Sequence, residues 1–262
     1  MAHSSPTKHT TSFEVYVSKE TFKFNAAHFV AFKGYRERLH GHNYRVGVRL
    51  LGTRQVGADG YLIDFGNIKE CCKKVCKKLN EHFICPIYSD VLTITENAVD
   101  SSVRIECEDG TFFVFPAKDC AMLPLVHATA EELSIYVWAE LLKGLNADYL
   151  LKRGIHTMEI TVAEAVGQEA TFRLEIPPSQ QDAEFSLDVR SFIAKGEVVA
   201  MPCLDTGNEA KQAKVPCCTD CQTSKHTFSQ QLERLAQALN DGTLPKDGIT
   251  AEHLEKLVNN KS

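Results

Sequence analysis

The sequence predicts an α+β fold centred on an antiparallel sheet, and three observations predict it. Segments near residues 13–28, 40–50, 159–164 and 170–176 alternate apolar and polar residues, the period of a half-buried strand. Segments 67–79 and 129–142 repeat apolar residues at helical spacing. Their order is strand, strand, helix, inserted hairpin, helix, strand, strand, which suits an antiparallel sheet with two helices on one face.

In the first strand Phe22, Phe24, Ala26 and His28 share one face, and Lys23 and Asn25 share the other. Residues 29–39 read as a polar, charged loop containing Gly34. The second strand puts His40, His42, Tyr44, Val46, Val48 and Leu50 on one face and Asn43, Arg45 and Arg49 on the other. Residues 52–60 carry three glycines and read as a turn; residues 61–65 are short and apolar. In the first helix, Ile68, Cys71, Cys72, Val75, Cys76 and Leu79 form a stripe with the spacing of a buried face.

The inserted hairpin joins Val103, Ile105 and Cys107 to Phe113 and Phe115 through Glu108-Asp109-Gly110, where glycine tolerates positive φ. Thr129 and Glu132 have capping-box spacing at the start of the second helix, ahead of Leu133, Val137, Leu141 and Leu142. Two alternating strands close the domain. Pro177, Pro178 and a Gln-rich stretch then mark a boundary. The organisation expected is a disordered N-terminus over 1–12, one domain over 13–177, and an extension over 178–262 made of a linker and one or two amphipathic helices within 227–258.

The chain has 262 residues, 44% apolar and 24% charged, which is ordinary globular composition. Its formal charge of −5 gives no basic field for nucleic acid. No apolar run approaches the roughly 18 residues of a membrane span. The first 13 residues lack the apolar core of a secretory signal and carry no arginine. Of the ten cysteines, those in the first helix read as small core residues of a reduced compartment rather than disulfides. A cytoplasmic protein is expected.

His40-Gly41-His42 is the sharpest local signal. Histidines at i and i+2 of a strand point the same way, and His28 ends the preceding strand on its own apolar face. If the two strands pair antiparallel, three imidazoles converge. Three neutral nitrogens and one open position make a catalytic zinc site; core or surface histidines with satisfied hydrogen bonds are the plainer alternative. Spacing alone leaves both open.

Phe24-Asn25-Ala26-Ala27-His28, then His40-Gly41-His42-Asn43-Tyr44, then Gly60-Tyr61-Leu62-Ile63-Asp64-Phe65 resemble the 6-pyruvoyl-tetrahydropterin synthase family, which includes the 6-carboxy-tetrahydropterin synthases. Thr129-Ala130-Glu131-Glu132-Leu133 and Val162-Ala163-Glu164 extend the resemblance over residues 13–177. It implies the tunnelling fold (T-fold), whose trimers close their sheets into a barrel and often stack as hexamers. It further implies zinc on His28, His40 and His42. Glu164 would anchor the guanidine-like edge of a pterin through two parallel N–H bonds, with Thr129 and Glu131 also binding substrate. Without the resemblance, Glu164 reads as a strand-end carboxylate in water.

Two departures stand out. The family's usual cysteine base before H-G-H is absent, and Glu37 takes an E-x-x-H-G-H arrangement instead. This resembles a variant subfamily associated with cleaving 7,8-dihydroneopterin triphosphate to 6-hydroxymethyl-7,8-dihydropterin, a folate precursor. A free thiol has a pKa of about 8.5 and a free Glu about 4.3, so a carboxylate is poor at taking a proton from carbon. It is adequate for retro-aldol cleavage, which begins at a hydroxyl that a metal acidifies. A solvated loop charge beside Arg36 and Arg38 is the plainer reading of Glu37.

Second, the family's Leu-Asp-His run is here Leu79-Asn80-Glu81-His82. Either His82 or Glu81 carries the proton, or the site binds pterins without turnover. The expected function is a zinc-dependent lyase on this pterin triphosphate, homo-oligomeric, without nucleic acid or membrane. Standard 6-pyruvoyl-tetrahydropterin synthesis and a non-catalytic pterin-binding regulator are the alternatives. In the extension, Cys217, Cys218, Cys221 and His226 contain one C-x-x-C, which without a second is a weak signal for a structural zinc; a flexible linker with exposed thiols is the favoured reading.

Overall fold

The computed structural model describes residues 12–182 and 187–196. In chain order the elements are β1 (Glu14–His28), β2 (Ala31–Phe32), β3 (Tyr35–Arg36), β4 (His40–Gly52), α1 (Phe65–Leu79), β5 (His82–Pro86), β6 (Leu92–Asn97), β7 (Ser102–Cys107), β8 (Phe112–Pro116), β9 (Cys120–Leu123), α2 (Ala130–Leu145), α3 (Ala147–Lys152), β10 (Ile155–Ala165) and β11 (Gln168–Glu175). The main sheet has six strands in the order β11-β10-β4-β1-β5-β9. A second sheet holds β6-β7-β8, and β2 and β3 form a small hairpin.

The alternation read from the sequence sets the faces of the long strands. Phe22, Phe24, Ala26 and His28 of β1 are buried, as are Tyr44, Val46, Val48 and Leu50 of β4. This face carries the helices: α1 lies over β1, α2 over β10 and β11, and the two helices touch each other. Trp138 of α2 is fully buried in this core, and its indole N–H donates to the Met158 carbonyl of β10 at 2.8 Å. The opposite face is charged. There Glu159 accepts from Arg49 at 3.0 Å and from Arg173 at 2.7 Å.

α1 starts at Phe65 rather than near 67, because the Asp64 side chain accepts from the Gly66 N–H at 2.7 Å and caps the helix. Ile68, Cys72, Val75, Cys76 and Leu79 are buried as the stripe requires, with Cys71 half-buried beside them. Thr129 caps α2 by accepting from the Glu132 N–H. The Glu132 carboxylate does not complete a capping box. It turns back to the loop before the helix and accepts from Val126 N at 2.7 Å and His127 N at 3.0 Å.

The structure adds strands that the periodicity does not reveal. β5 and β9 extend the sheet beyond β1 and pair in parallel, so the sheet is mixed. Both are short and mostly buried, and a short apolar run has no period to read. The expected inserted hairpin, β7 and β8 with Gly110 at φ 80°, gains β6 as a third strand. The 29–39 loop contains the β2–β3 hairpin, with Gly34 at φ 79° in its turn. Beyond the sheet, Val189 is buried in the main core and the Phe192 ring meets Phe172 at 5.2 Å. The expected disorder over 1–12 falls almost wholly outside the described residues. The tail helices within 227–258 and the cluster of Cys217, Cys218, Cys221 and His226 lie wholly outside them.

Candidate active site

Antiparallel pairing of β1 and β4 puts His28 opposite His40 and Ala26 opposite His42. A Cβ on Gly41 would stand 3.1 Å from the Ala26 carbonyl oxygen, so glycine lets the two strands close where the histidines meet. The rings lie 4.5 Å (His28–His40), 5.1 Å (His28–His42) and 4.9 Å (His40–His42) apart, and one nitrogen of each lies within 4.8 Å of the others.

Two of the rings are oriented by backbone carbonyls. His28 Nδ1 donates to Ala128 O at 2.7 Å, and His40 Nδ1 donates to Arg38 O at 2.8 Å. Each bond leaves Nε2 as the free lone pair, the tautomer a metal requires. Burial pushes the His28 pKa below its ordinary value, so the ring is neutral near pH 7. Its Nε2 is buried with no hydrogen-bond partner, a costly state unless something electrophilic covers it. Three converging imidazoles, one with an orphaned lone pair, fit a divalent metal that prefers imidazole, with an open position for an oxygen.

Glu37 meets this cluster from the loop joining β1 to β4. Its N–H donates to Val30 O at 2.9 Å, and its Oε2 accepts from Val30 N at 3.0 Å. One carboxylate oxygen is thereby tied to the backbone beside His28. A cavity of about 310 Å³ is lined by Glu37, His28 and His40 together with Thr129, Glu131 and Glu164. The Thr129 hydroxyl is engaged in capping α2, and Glu131 is exposed at the helix start. Glu164 lies by the register shift near the end of β10 and also lines a second cavity of about 550 Å³ with His42 and Arg45.

Glu81 and His82 stand elsewhere. They line a cavity of about 490 Å³ that they share with His42 but not with Glu37. His42 pairs with Ala26 across β4–β1, and Ala26 pairs with His82 across β1–β5, so the two histidines are two strand spacings apart, roughly 10 Å. His82 Nδ1 donates to Asn80 O at 2.7 Å. Asn80 itself joins elements: its Oδ1 accepts from Asn25 N at 2.9 Å, and its N–H donates to Cys76 O as the helix ends.

Three contributors escaped the sequence. Tyr44 is fully buried; burial, reinforced by the Glu164 charge, raises its pKa, so it stays protonated and donates to Glu164 at 3.3 Å. Glu132 holds the 126–128 loop whose Ala128 carbonyl orients His28. Arg36 donates to the Glu37 carbonyl at 2.8 Å. A buried tyrosine on an alternating strand carries no sequence signal beyond packing, and the other two act through loop backbone.

Residues 16–175 match the family model described as 6-pyruvoyl tetrahydropterin synthase. The solved 6-pyruvoyl tetrahydropterin synthase of Plasmodium falciparum is 44% identical, with a TM-score of 0.61, and the match covers 63% of this chain and 99% of that one. The Plasmodium vivax 6-pyruvoyltetrahydropterin synthase, solved as a catalytic-residue mutant with glutamate replaced by alanine, is 43% identical over the same shares, with a TM-score of 0.61. A putative 6-carboxy-5,6,7,8-tetrahydropterin synthase of Methanocaldococcus jannaschii is 30% identical over 154 residues, 58% of this chain and 89% of that one.

Proposed function

This chain belongs to the 6-pyruvoyl tetrahydropterin synthase family, with its tunnelling fold and lyase chemistry, and we propose that it is a zinc enzyme acting on 7,8-dihydroneopterin triphosphate with Glu37 as the general base. The observation that carries this reading is the shared cavity of Glu37, His28, His40 and Glu164. The Plasmodium vivax relative, in which a glutamate is a catalytic residue, supports it.

His28, His40 and His42 would hold the zinc, which supplies a Lewis acid that makes a substrate hydroxyl more acidic. Glu37 takes the proton from that side-chain hydroxyl. As the carbonyl forms, the adjacent carbon–carbon bond breaks, the two-carbon aldehyde that carries the triphosphate departs, the electron pair passes to the pterin-bearing carbon, and a proton delivered there gives 6-hydroxymethyl-7,8-dihydropterin. Glu164, kept in place by the Tyr44 hydroxyl, accepts the N–H edge of the pterin. Thr129 and Glu131 line the same cavity as further substrate contacts. His82 or Glu81 returns the proton from the neighbouring cavity, which reaches the cluster through His42. Elimination of triphosphate to 6-pyruvoyl-tetrahydropterin is the competing outcome.

The test is to incubate zinc-loaded protein with 7,8-dihydroneopterin triphosphate and identify the pterins by mass spectrometry, with Glu37→Ala in parallel. The expected result is 6-hydroxymethyl-7,8-dihydropterin, lost in the variant by a factor of about 100 or more. Predominant 6-pyruvoyl-tetrahydropterin would overturn the cleavage assignment. Undiminished turnover by Glu37→Ala would overturn the base.

A further inference from the structure

The β2–β3 hairpin that leads into Glu37 pairs only Ala31 with Arg36 and Phe32 with Tyr35. An isolated hairpin of this size has little stability of its own. Its outer side is gripped by the turn between β7 and β8 of the three-stranded insert. Gly34 N donates to Glu108 Oε2 at 3.0 Å, Arg36 Nε donates to Asp109 Oδ2 at 2.9 Å, and Arg36 Nη2 donates to Thr111 Oγ1 at 3.3 Å. The third guanidinium nitrogen, Nη1, donates to the Glu37 carbonyl at 2.8 Å.

Each guanidinium nitrogen of Arg36 therefore has a separate acceptor. The Arg36 side chain is only 18% exposed and its guanidinium stands 5.8 Å from the Phe113 ring centre, while Asp109 reaches it from the solvent side. The turn is rigid on its own account: Asp109 Oδ1 accepts from Thr111 N at 2.8 Å, and Cys107 N donates to Thr111 O at 2.9 Å. The insert is also fastened to the body, with the Phe29 and Phe113 rings 5.1 Å apart and the Phe83 and Phe115 rings stacked at 4.7 Å.

We infer that the three-stranded insert positions Glu37 for catalysis, with Asp109 acting through Arg36 on the Glu37 backbone. The inference rests on Glu37 being the base. Asp109 and Arg36 are positioning residues; neither lines the cavity that holds Glu37 and the histidines. Displacing a catalytic group by about 1 Å costs up to about 100-fold in rate, whereas the proposed zinc and pterin contacts are made by other residues. Lysine cannot replace Arg36, because a single ammonium does not span three acceptors fixed in a fork.

The experiment measures kcat, KM, zinc content and melting temperature on 7,8-dihydroneopterin triphosphate for Asp109→Ala, Asp109→Asn, Arg36→Lys, their combination, Glu37→Ala, and Glu106→Ala as a control. Glu106 pairs with Arg104 on the insert and touches none of the relay. The relay predicts that Asp109→Ala and Arg36→Lys each lower kcat about 10-fold, with KM within about twofold and zinc content unchanged. Asp109→Asn, whose amide oxygen still accepts, recovers part of the loss. The Asp109→Ala/Arg36→Lys combination is no worse than either change alone, and Glu106→Ala behaves as wild type. Unchanged kcat in Asp109→Ala, while Glu37→Ala is inactive, overturns the relay and leaves the base assignment standing. Equal losses in Asp109→Ala and Glu106→Ala, tracking melting temperature, overturn it in favour of general stabilisation by the insert. An active Glu37→Ala removes the base assignment and the relay with it.

Discussion

Glu132 shows what one buried carboxylate does ahead of a helix. Its Oε2 accepts from Val126 N and His127 N, and its Oε1 accepts from the His127 ring at 2.6 Å. The bond to Glu132 raises the His127 pKa above its ordinary 6.5. A raised folded-state pKa stabilises the fold fully below about pH 6.5 and loses that contribution as pH rises through the folded value. His127→Gln is therefore expected to lower the melting temperature more at pH 6 than at pH 9; an equal loss at both pH values would show that the pair is not charged. Because this loop carries the Ala128 carbonyl that orients His28, Glu132→Ala is expected to weaken zinc binding about 10-fold, read by competition with a chelating dye. At this scale the pairing of His40 with His42 was legible, since strand period alone puts them on one side. Glu37 was legible only through its motif. Arg36 was not, because its acceptors Asp109 and Thr111 lie in a distant turn, and Glu132 was not, because its spacing from Thr129 reads as a capping box while its carboxylate accepts from the preceding loop.

The junction of α1 with β5 bears on the element scale. Asn80 and Glu81 tie the helix end to β1 through Asn25 N and O, and Glu81 sits at φ 62°, where a side chain is strained. Glycine would relieve that strain. Glu81→Gly is expected to stabilise the fold by up to about 1 kcal/mol in urea melts, and a fall in kcat beside that gain would identify the carboxylate as a proton carrier. Unchanged kcat would leave the role to His82. In α2, Trp138→Ala opens the centre of the core and is expected to cost about 3–5 kcal/mol, with the indole bond to Met158 lost as well. The long elements were readable because each has one wet and one dry face. β5 and β9 were not, because burial on both sides erases the alternation.

Across the whole molecule, the cavity with Glu37 and the cavity with Glu81 and His82 both open on one histidine cluster yet remain separate within one chain. The main sheet ends in β9 on one side and β11 on the other, and among the described residues neither outer edge is paired. An eight-residue edge such as β11 is a template for another strand. The full chain is expected to have the mass of a trimer or hexamer by light scattering, joined along these edges. A monomer active at the lowest concentrations would show that one chain completes the site. Among the described residues no helix is long and apolar enough to cross a membrane.

The sequence by itself determined the long strands, the two principal helices, the faces they bury and the common side of His40 and His42, whereas the β1–β4 register brought His28 to them. What the sequence determined follows from local periodicity, which each segment carries within itself. Tertiary structure decided what depends on contacts distant along the chain. It added the parallel strands beside β1, turned Glu132 toward its loop rather than its cap, and divided the candidate proton-transfer groups between two cavities. It also carried the grip of Asp109 through Arg36 to Glu37, a span of 72 residues closed only when the insert docks beside the hairpin.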